Sequence, residues 1–231
     1  MSVFRITHAP FEQTFNVFKD LDTLDANEWE NASRTEEQGW KIRYEYEAQL
    51  VAQLIRDGAA KTVLEIGSGP GHLSQLVQKH VDVDYHLIDK PFAEKYFKEN
   101  NFKGTFFVKD ISMDLDTNGL NSSYDLVICN DVLEHLLAPS NVVKKIHSLL
   151  NDKSQVLISV PNWRMGHQFL YRGMWDYDNV LYFFHIHGLE FDCVYPSTLA
   201  TPDYPRLDSE ETMPEELRTS WNWYFVLKKK L

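Results

Sequence analysis

Between residues 62 and 160 the chain alternates five short apolar runs with stretches of helical periodicity, and this rhythm narrows the possible folds more than any other feature of its 231 residues. The runs are 62–66, 85–88, 105–108, 126–129 and 155–160. Each is short and nearly continuously apolar, as expected of strands covered on both faces. The segments between them place apolar side chains at helical spacing: Leu73, Leu76 and Val77 in 72–80, a further helix over 92–102, and Val142, Val143, Ile146, Leu149 and Leu150 in 141–150. Strands alternating with helices predict parallel βαβ units in a doubly wound α/β sheet. Ahead of the first strand, Leu50, Val51, Leu54 and Ile55 share one face of a helix over 42–55, which Asp57-Gly58 ends.

After Pro161 the rhythm breaks. Residues 162–182 are dense in Trp, Tyr, Arg and Gly, and a helix over 180–187 stops at Gly188. Two further strands are expected over 189–194 and 220–227. The long connection between them holds four prolines and an acidic cluster over 208–211. Connections of that length are functional or mobile. The simplest organisation is an N-terminal helical extension or lid over 1–41 and one domain over 42–231, with 162–182 and 195–219 as insertions on the substrate side.

Charge and cysteine content remove several classes. A formal charge of -11 disfavours a duplex nucleic-acid binder, which needs a basic face to displace counterions. The run Lys228-Lys229-Lys230 reads as a solvated tail. Cys129 and Cys193 lie in separate apolar runs, too few for a disulfide framework and unclustered for zinc. His185 and His187 flank an aromatic run without a carboxylate or thiol nearby in sequence, so they read as packing histidines, and no metal is expected. No apolar stretch reaches bilayer length, and the N-terminus lacks a secretory core, so a cytoplasmic protein is expected. Oligomeric state is not legible.

The turn after the first strand, Gly67-Ser68-Gly69-Pro70-Gly71, carries the chemistry. Its glycines let the backbone turn sharply and approach a ligand. A dinucleotide site would place a small residue one position beyond the last of these glycines, where the helix must pack closely. His72 stands there and obstructs that contact. A nicotinamide-dependent oxidoreductase is therefore the weaker of the two readings of this turn.

With its acidic opening residue, the segment Val63-Leu64-Glu65-Ile66-Gly67-Ser68-Gly69-Pro70-Gly71 resembles motif I of the class I methyltransferases, which use S-adenosyl-L-methionine. The resemblance continues in order through Asp89 after the second strand, Asp110-Ile111 after the third and Asn130-Asp131-Val132-Leu133-Glu134-His135-Leu136 after the fourth. It ends on Val160-Pro161-Asn162 at the fifth. The fourth element is similar to a segment of the subgroup that includes ubiquinone-pathway and natural-product enzymes. It implies a seven-stranded, mostly parallel sheet whose last strand is antiparallel. It also implies roles. Glu65 lies near the cofactor's amino group, Asp89 accepts the ribose hydroxyls, and Asp110 and Ile111 meet the adenine. Gly67, Ser68, Gly69, Gly71, Lys90, Asn130 and Asp131 complete the expected cofactor site. His135 is a candidate general base, although a helix-orienting role suits it as well.

The family's adenine-amine enzymes carry paired prolines after the fourth strand, its cytosine enzymes a Pro-Cys loop, and its metal-dependent catechol-type enzymes Asp-Asn after the fifth. None of these stands here. By elimination and analogy the resemblance implies methyl transfer to an O or N atom of a small molecule; a methyltransferase-like binding protein without turnover stays open. The substrate side is expected in Trp163, Arg164, Tyr171, Arg172 and Trp175, which leave the carboxyl edge of the sheet where open α/β folds bind ligands. Tyr44 and Tyr46 are placed to help cover the cofactor.

Overall fold

The computed structural model describes residues 38–162, 176–197, 206–208, 220 and 222–230, with side chains from Ile42 onward. Helix α1 (Gln38–Gly58) leads into strand β1 (Thr62–Ile66), followed by α2 (His72–Val77), β2 (Asp84–Asp89), α3 (Pro91–Glu99) and β3 (Thr105–Val108). Then come β4 (Tyr124–Asn130), a 3-10 turn (Leu133–His135), α4 (Pro139–Ser148), β5 (Leu150–Pro161), α5 (Tyr177–Ile186), β6 (Leu189–Ser197) and β7 (Asn222–Lys229).

The seven strands form one sheet in the order β3-β2-β1-β4-β5-β7-β6. The first five run parallel, and β7 is antiparallel to both of its neighbours. Period-two alternation divides the side chains between two cores. Leu64, Val127 and Ile158 face a core closed by Val142 and Ile146 of α4 and Phe184 of α5. Val63, Ile128, Leu157 and Val226 face the other, closed by Val51 and Leu54 of α1, Leu73 of α2 and Phe97 of α3. The strand order reverses between β1 and β4, and at such a switch point the loops part to leave a crevice at the carboxyl ends.

Several boundaries differ from the sequence reading. Helix α1 begins at Gln38, so it crosses the expected division at residue 41. Its stop is also displaced. Gly58 is still helical, and Ala59 takes the left-handed conformation at φ 49° while Ala60 N–H returns to Ile55 O at 2.9 Å. Strand β6 runs to Ser197 because Pro196 and Ser197 still pair with β7, and α5 starts at Tyr177 because Asp176 caps it by accepting the Asn179 N–H. Helix α5 thus begins within the span 162–182, and β6 extends into the span 195–219. Among the described residues no helix is long and apolar enough to cross a membrane.

Candidate cofactor and active site

The glycine turn is fixed from two sides. Gly67 N–H and Ser68 N–H both donate to Ile88 O at the end of β2, at 2.9 and 3.1 Å. Gly67, Gly69 and Gly71 all have positive φ, at 70°, 51° and 88°. A Cβ at Gly67 would stand 2.2 Å from Val132 Cγ2, so this glycine is required both by its backbone conformation and by the side chain leaving β4. Ser68 is buried, its hydroxyl donating to Gly69 O at 3.1 Å. His72 opens α2 with its ring between Tyr44 and Phe102, each 6.1 Å away. Burial lowers its pKa.

Asp89 is brought to the turn by β2. Its Oδ2 accepts the Gly69 N–H at 2.6 Å and its Oδ1 the Lys90 N–H at 2.7 Å. The side chain that the resemblance assigns to ribose thus also ties the turn to β2. A carboxylate offers about four acceptor positions, so capacity remains for hydroxyl donors. Asp110 is exposed and accepts both the N–H and the hydroxyl of Ser112, which lower its pKa below the ordinary carboxylate value. Ile111 is buried in the α4-side core.

Glu65 is the penultimate residue of β1, on the α1 face and 5% exposed, and its Oε2 has no hydrogen-bond partner among the described residues. Burial pushes its carboxyl up to about 8; the Tyr85 phenol opposes the shift, and the charges of Glu47 and Asp89 add to it. Tyr85 OH itself lacks a partner in hydrogen-bonding geometry. Asn130, at the end of β4 on the same face, likewise has both carboxamide atoms buried and unpartnered.

Asp131 adopts the left-handed conformation at φ 53°, a position that costs a non-glycine residue about 1–3 kcal/mol. Its carboxylate is held from three elements. Ser159 Oγ on β5 and Asn222 Nδ2 on β7 donate to Oδ1 at 2.7 and 2.8 Å, and Arg43 Nη2 on α1 donates to Oδ2. Arg43 Nε also donates to Glu47 at 2.7 Å, and the Tyr224 hydroxyl on β7 donates to the same Glu47 oxygen. Burial would raise the Asp131 pKa, but Arg43 and these donors outweigh it and hold the group ionised, below its ordinary value. Charge-assisted bonds of this kind can offset the backbone strain. The kink turns Val132 back onto Gly67, so the network that holds α1 to the sheet also sets the wall of the glycine turn.

Glu134 is fully buried, and burial followed by the Asp131 charge raises its pKa well above the ordinary value. His135 is 38% exposed on the 3-10 turn, its Nε2 3.7 Å from Glu134 Oε1. Tyr46 packs on Tyr224 at 6.4 Å. Trp163, Arg164, Tyr171, Arg172 and Trp175 lie outside the described residues, as does most of the expected lid over 1–41 and of the acidic connection before β7. His187 Nδ1 lies 2.7 Å from Phe183 O. Among the described residues no group of three His, Cys, Asp or Glu side chains could hold a metal.

The residues that sequence reading missed are Arg43, Glu47, Ser159, Asn222 and Tyr224. Two local signals were present. Arg43 and Glu47 stand at i, i+4 on a helix, and Asn222 and Tyr224 at i, i+2 on a strand. Neither says that Tyr224 reaches Glu47 across 177 positions.

A buried acid from β1, an acid from β2 and the kink after β4 thus stand around the glycine turn. The family described as "Methyltransferase domain" matches residues 40–191, more than half of the chain. This chain belongs to the methyltransferase-domain family. Among characterised relatives, the ubiquinone biosynthesis O-methyltransferase of Pseudomonas paraeruginosa is 27% identical over 106 residues, 45% of this chain and 46% of that protein. The chain thus matches less than half the length of that relative. Among solved structures, the plantazolicin methyltransferase BamL, in complex with a triazolic desmethylPZN analogue and SAH, superposes with a TM-score of 0.66. It is 14% identical, with 96% of each chain covered. A TehB-like SAM-dependent methyltransferase from Corynebacterium glutamicum gives a TM-score of 0.60 at 20% identity, covering 89% of this chain and 96% of its own. At these identities the likeness is one of fold.

Proposed function

We propose that this protein binds S-adenosyl-L-methionine at the carboxyl edge of β1, β2 and β4 and transfers its methyl group to an O or N atom of a small molecule. The observation that carries the reading is Glu65 Oε2, a buried acceptor without a partner beside the glycine turn. An unpaired buried carboxylate is costly, and an ammonium group relieves that cost. The site residues fit the cofactor on this ground. Glu65 meets its amino group. Asp89, on the far side of the turn, keeps acceptor capacity for ribose hydroxyls, and Asp110 and Ile111 border the adenine.

The bound cofactor supplies a methyl carbon on a cationic sulfur, open to direct displacement. The protein's share is alignment and exclusion of water. Gly67, Ser68 and Gly69 approach the ligand with backbone, and Val132 limits movement of the turn. Asp131 is committed to Arg43, Ser159 and Asn222, so it positions and does not take a proton. His135 is the base candidate at this edge, needed only for a poorly acidic acceptor. The O-methyltransferase relative and the azole complexes of BamL support a small-molecule acceptor.

Calorimetric titration tests the cofactor half of this reading. S-adenosylmethionine or S-adenosylhomocysteine should bind and NAD should not; tight NAD binding with no signal from either sulfur compound refutes it. A screen of hydroxyl and amine acceptors then separates an enzyme from a binding protein without turnover.

A further inference from the structure

Glu65 stands in an unusual position for an acid meant to meet a cation. From β2 it faces the Tyr85 phenol and the Asp89 carboxylate, and from α1 Tyr44 and Glu47. The cation on α1, Arg43, is engaged by Glu47 and Asp131. On β4 its register partner is the apolar Ile128, and the next residue on that face is the uncharged Asn130. Its surroundings therefore offer like charge and little hydrogen bonding to an ionised carboxylate.

We propose that Glu65 is a neutral carboxylic acid in the unliganded protein and surrenders its proton when an ammonium group docks against Oε2, so that capture of the cofactor is coupled to proton release. This rests on the reading of the cleft as an S-adenosylmethionine site. The geometry requires the coupling because a buried, unpaired acid minimises its cost by staying protonated, whereas the same acid beside a cation is better ionised.

The proton balance is explicit. The ammonium of the cofactor stands beside its own carboxylate and so holds its proton to higher pH than a peptide amino terminus, which titrates at about 7.7–8.0, while burial places Glu65 at about 8. Well below that range both free partners carry a proton. The complex keeps one, on the ammonium, and one leaves to solvent. As pH rises through about 8 the free acid is already ionised while the ammonium still holds its proton, so the release on binding falls away. An acid with an ordinary carboxylate pKa would already be ionised at pH 6.5 and would release nothing on binding an ammonium. Acid-side release is thus the signature of Glu65.

The experiment is calorimetric titration of the full chain with S-adenosylhomocysteine at pH 6.5 and pH 9, in buffers of contrasting ionisation enthalpy. The expected result is release of close to one proton at pH 6.5 and loss of that release at pH 9. In Glu65→Gln the acid-side release should vanish, which also separates Glu65 from His72. The wild-type measurement is decisive even if the variant folds poorly. Binding at pH 6.5 without buffer dependence overturns the inference and leaves the cofactor reading standing. Absence of binding at both pH values overturns both.

Discussion

Gly67 is where a single methyl group would do most damage. Its φ of 70° strains any L residue, and an added Cβ would sit 2.2 Å from Val132 Cγ2. Overpacking of this kind typically costs about 1–3 kcal/mol, and in a chain of this length each kcal/mol lowers Tm by roughly 2–4 °C. Gly67→Ala should therefore lose several degrees and bind S-adenosylhomocysteine poorly. Adding Val132→Ala should recover part of the stability, because it removes the clash but not the backbone strain. A double variant no better than the single one would show that Val132 is not the obstacle. Glu65 makes a second prediction at this scale. Its folded-state carboxyl lies at about 8, against an unfolded value near 4.3. The folded state therefore holds more protons than the unfolded state between roughly pH 4.3 and 8. Its contribution is favourable below this window and is lost as pH rises through it. Glu65→Gln, which cannot ionise, should gain stability relative to wild type from pH 5 to pH 8 in denaturant melts without ligand. A constant difference across that range would place the Glu65 pKa outside it.

At the scale of elements, α1 is more than cover for a sheet. Its apolar face buries Val51 and Leu54, and one turn earlier Arg43 and Glu47 enter the carboxyl edge. The Arg43 guanidinium reaches two acceptors at once, Glu47 through Nε and Asp131 through Nη2, whereas a lysine ammonium is a point charge on a flexible stem. Arg43→Lys should lower stability by on the order of 1–3 kcal/mol by leaving a largely desolvated carboxylate short of donors, and it should weaken cofactor binding. Tyr224→Phe, which removes one donor to Glu47 and leaves Asp131 its bonds to Arg43, Ser159 and Asn222, should lower stability with a smaller loss of affinity. Equal losses of affinity in the two variants would mean that the network acts as one rigid body and that Arg43 has no separate part. This scale also shows what was legible in sequence. Strands β1 to β5 were readable because each carries a short apolar run, fully covered in the central strands and half-buried in β3 at the edge. The order of acidic residues at their carboxyl ends was readable because it follows local spacing. The Arg43–Asp131–Asn222–Tyr224 network was not, since its members look ordinary in their own segments and meet only when β7 inserts between β5 and β6. Ala59 escaped for another reason: an adjacent glycine suggested the helix stop, yet the left-handed position fell one residue later.

For the whole molecule the question is how a cofactor face and a substrate face share one sheet edge. Motif residues from β1, β2 and β3 occupy the side of the switch point toward β3, and those that follow β4 border it from the other side. The residues assigned to the cofactor therefore leave the opposite side, beyond β5, for an acceptor molecule. Asn162 closes β5 at that edge, 2% exposed, and the chain continues from it into Trp163, Arg164, Tyr171, Arg172 and Trp175. Indole and phenol rings can stack on a planar acceptor, and a guanidinium can pair with an anionic group, while both exclude water from the transferring methyl. Once an acceptor or surrogate is known, alanine variants at these five positions should be titrated with it and, separately, with S-adenosylhomocysteine. Loss of one well-packed aromatic contact or one charge-assisted bond is worth roughly 1–3 kcal/mol, so acceptor affinity should fall about tenfold or more in at least some of these variants. Cofactor affinity should stay within about twofold, because the residues assigned to the cofactor all precede β5. Matching losses for both ligands would mean that the segment supports the cofactor pocket from outside, and unchanged acceptor binding throughout would move the substrate face elsewhere on the sheet.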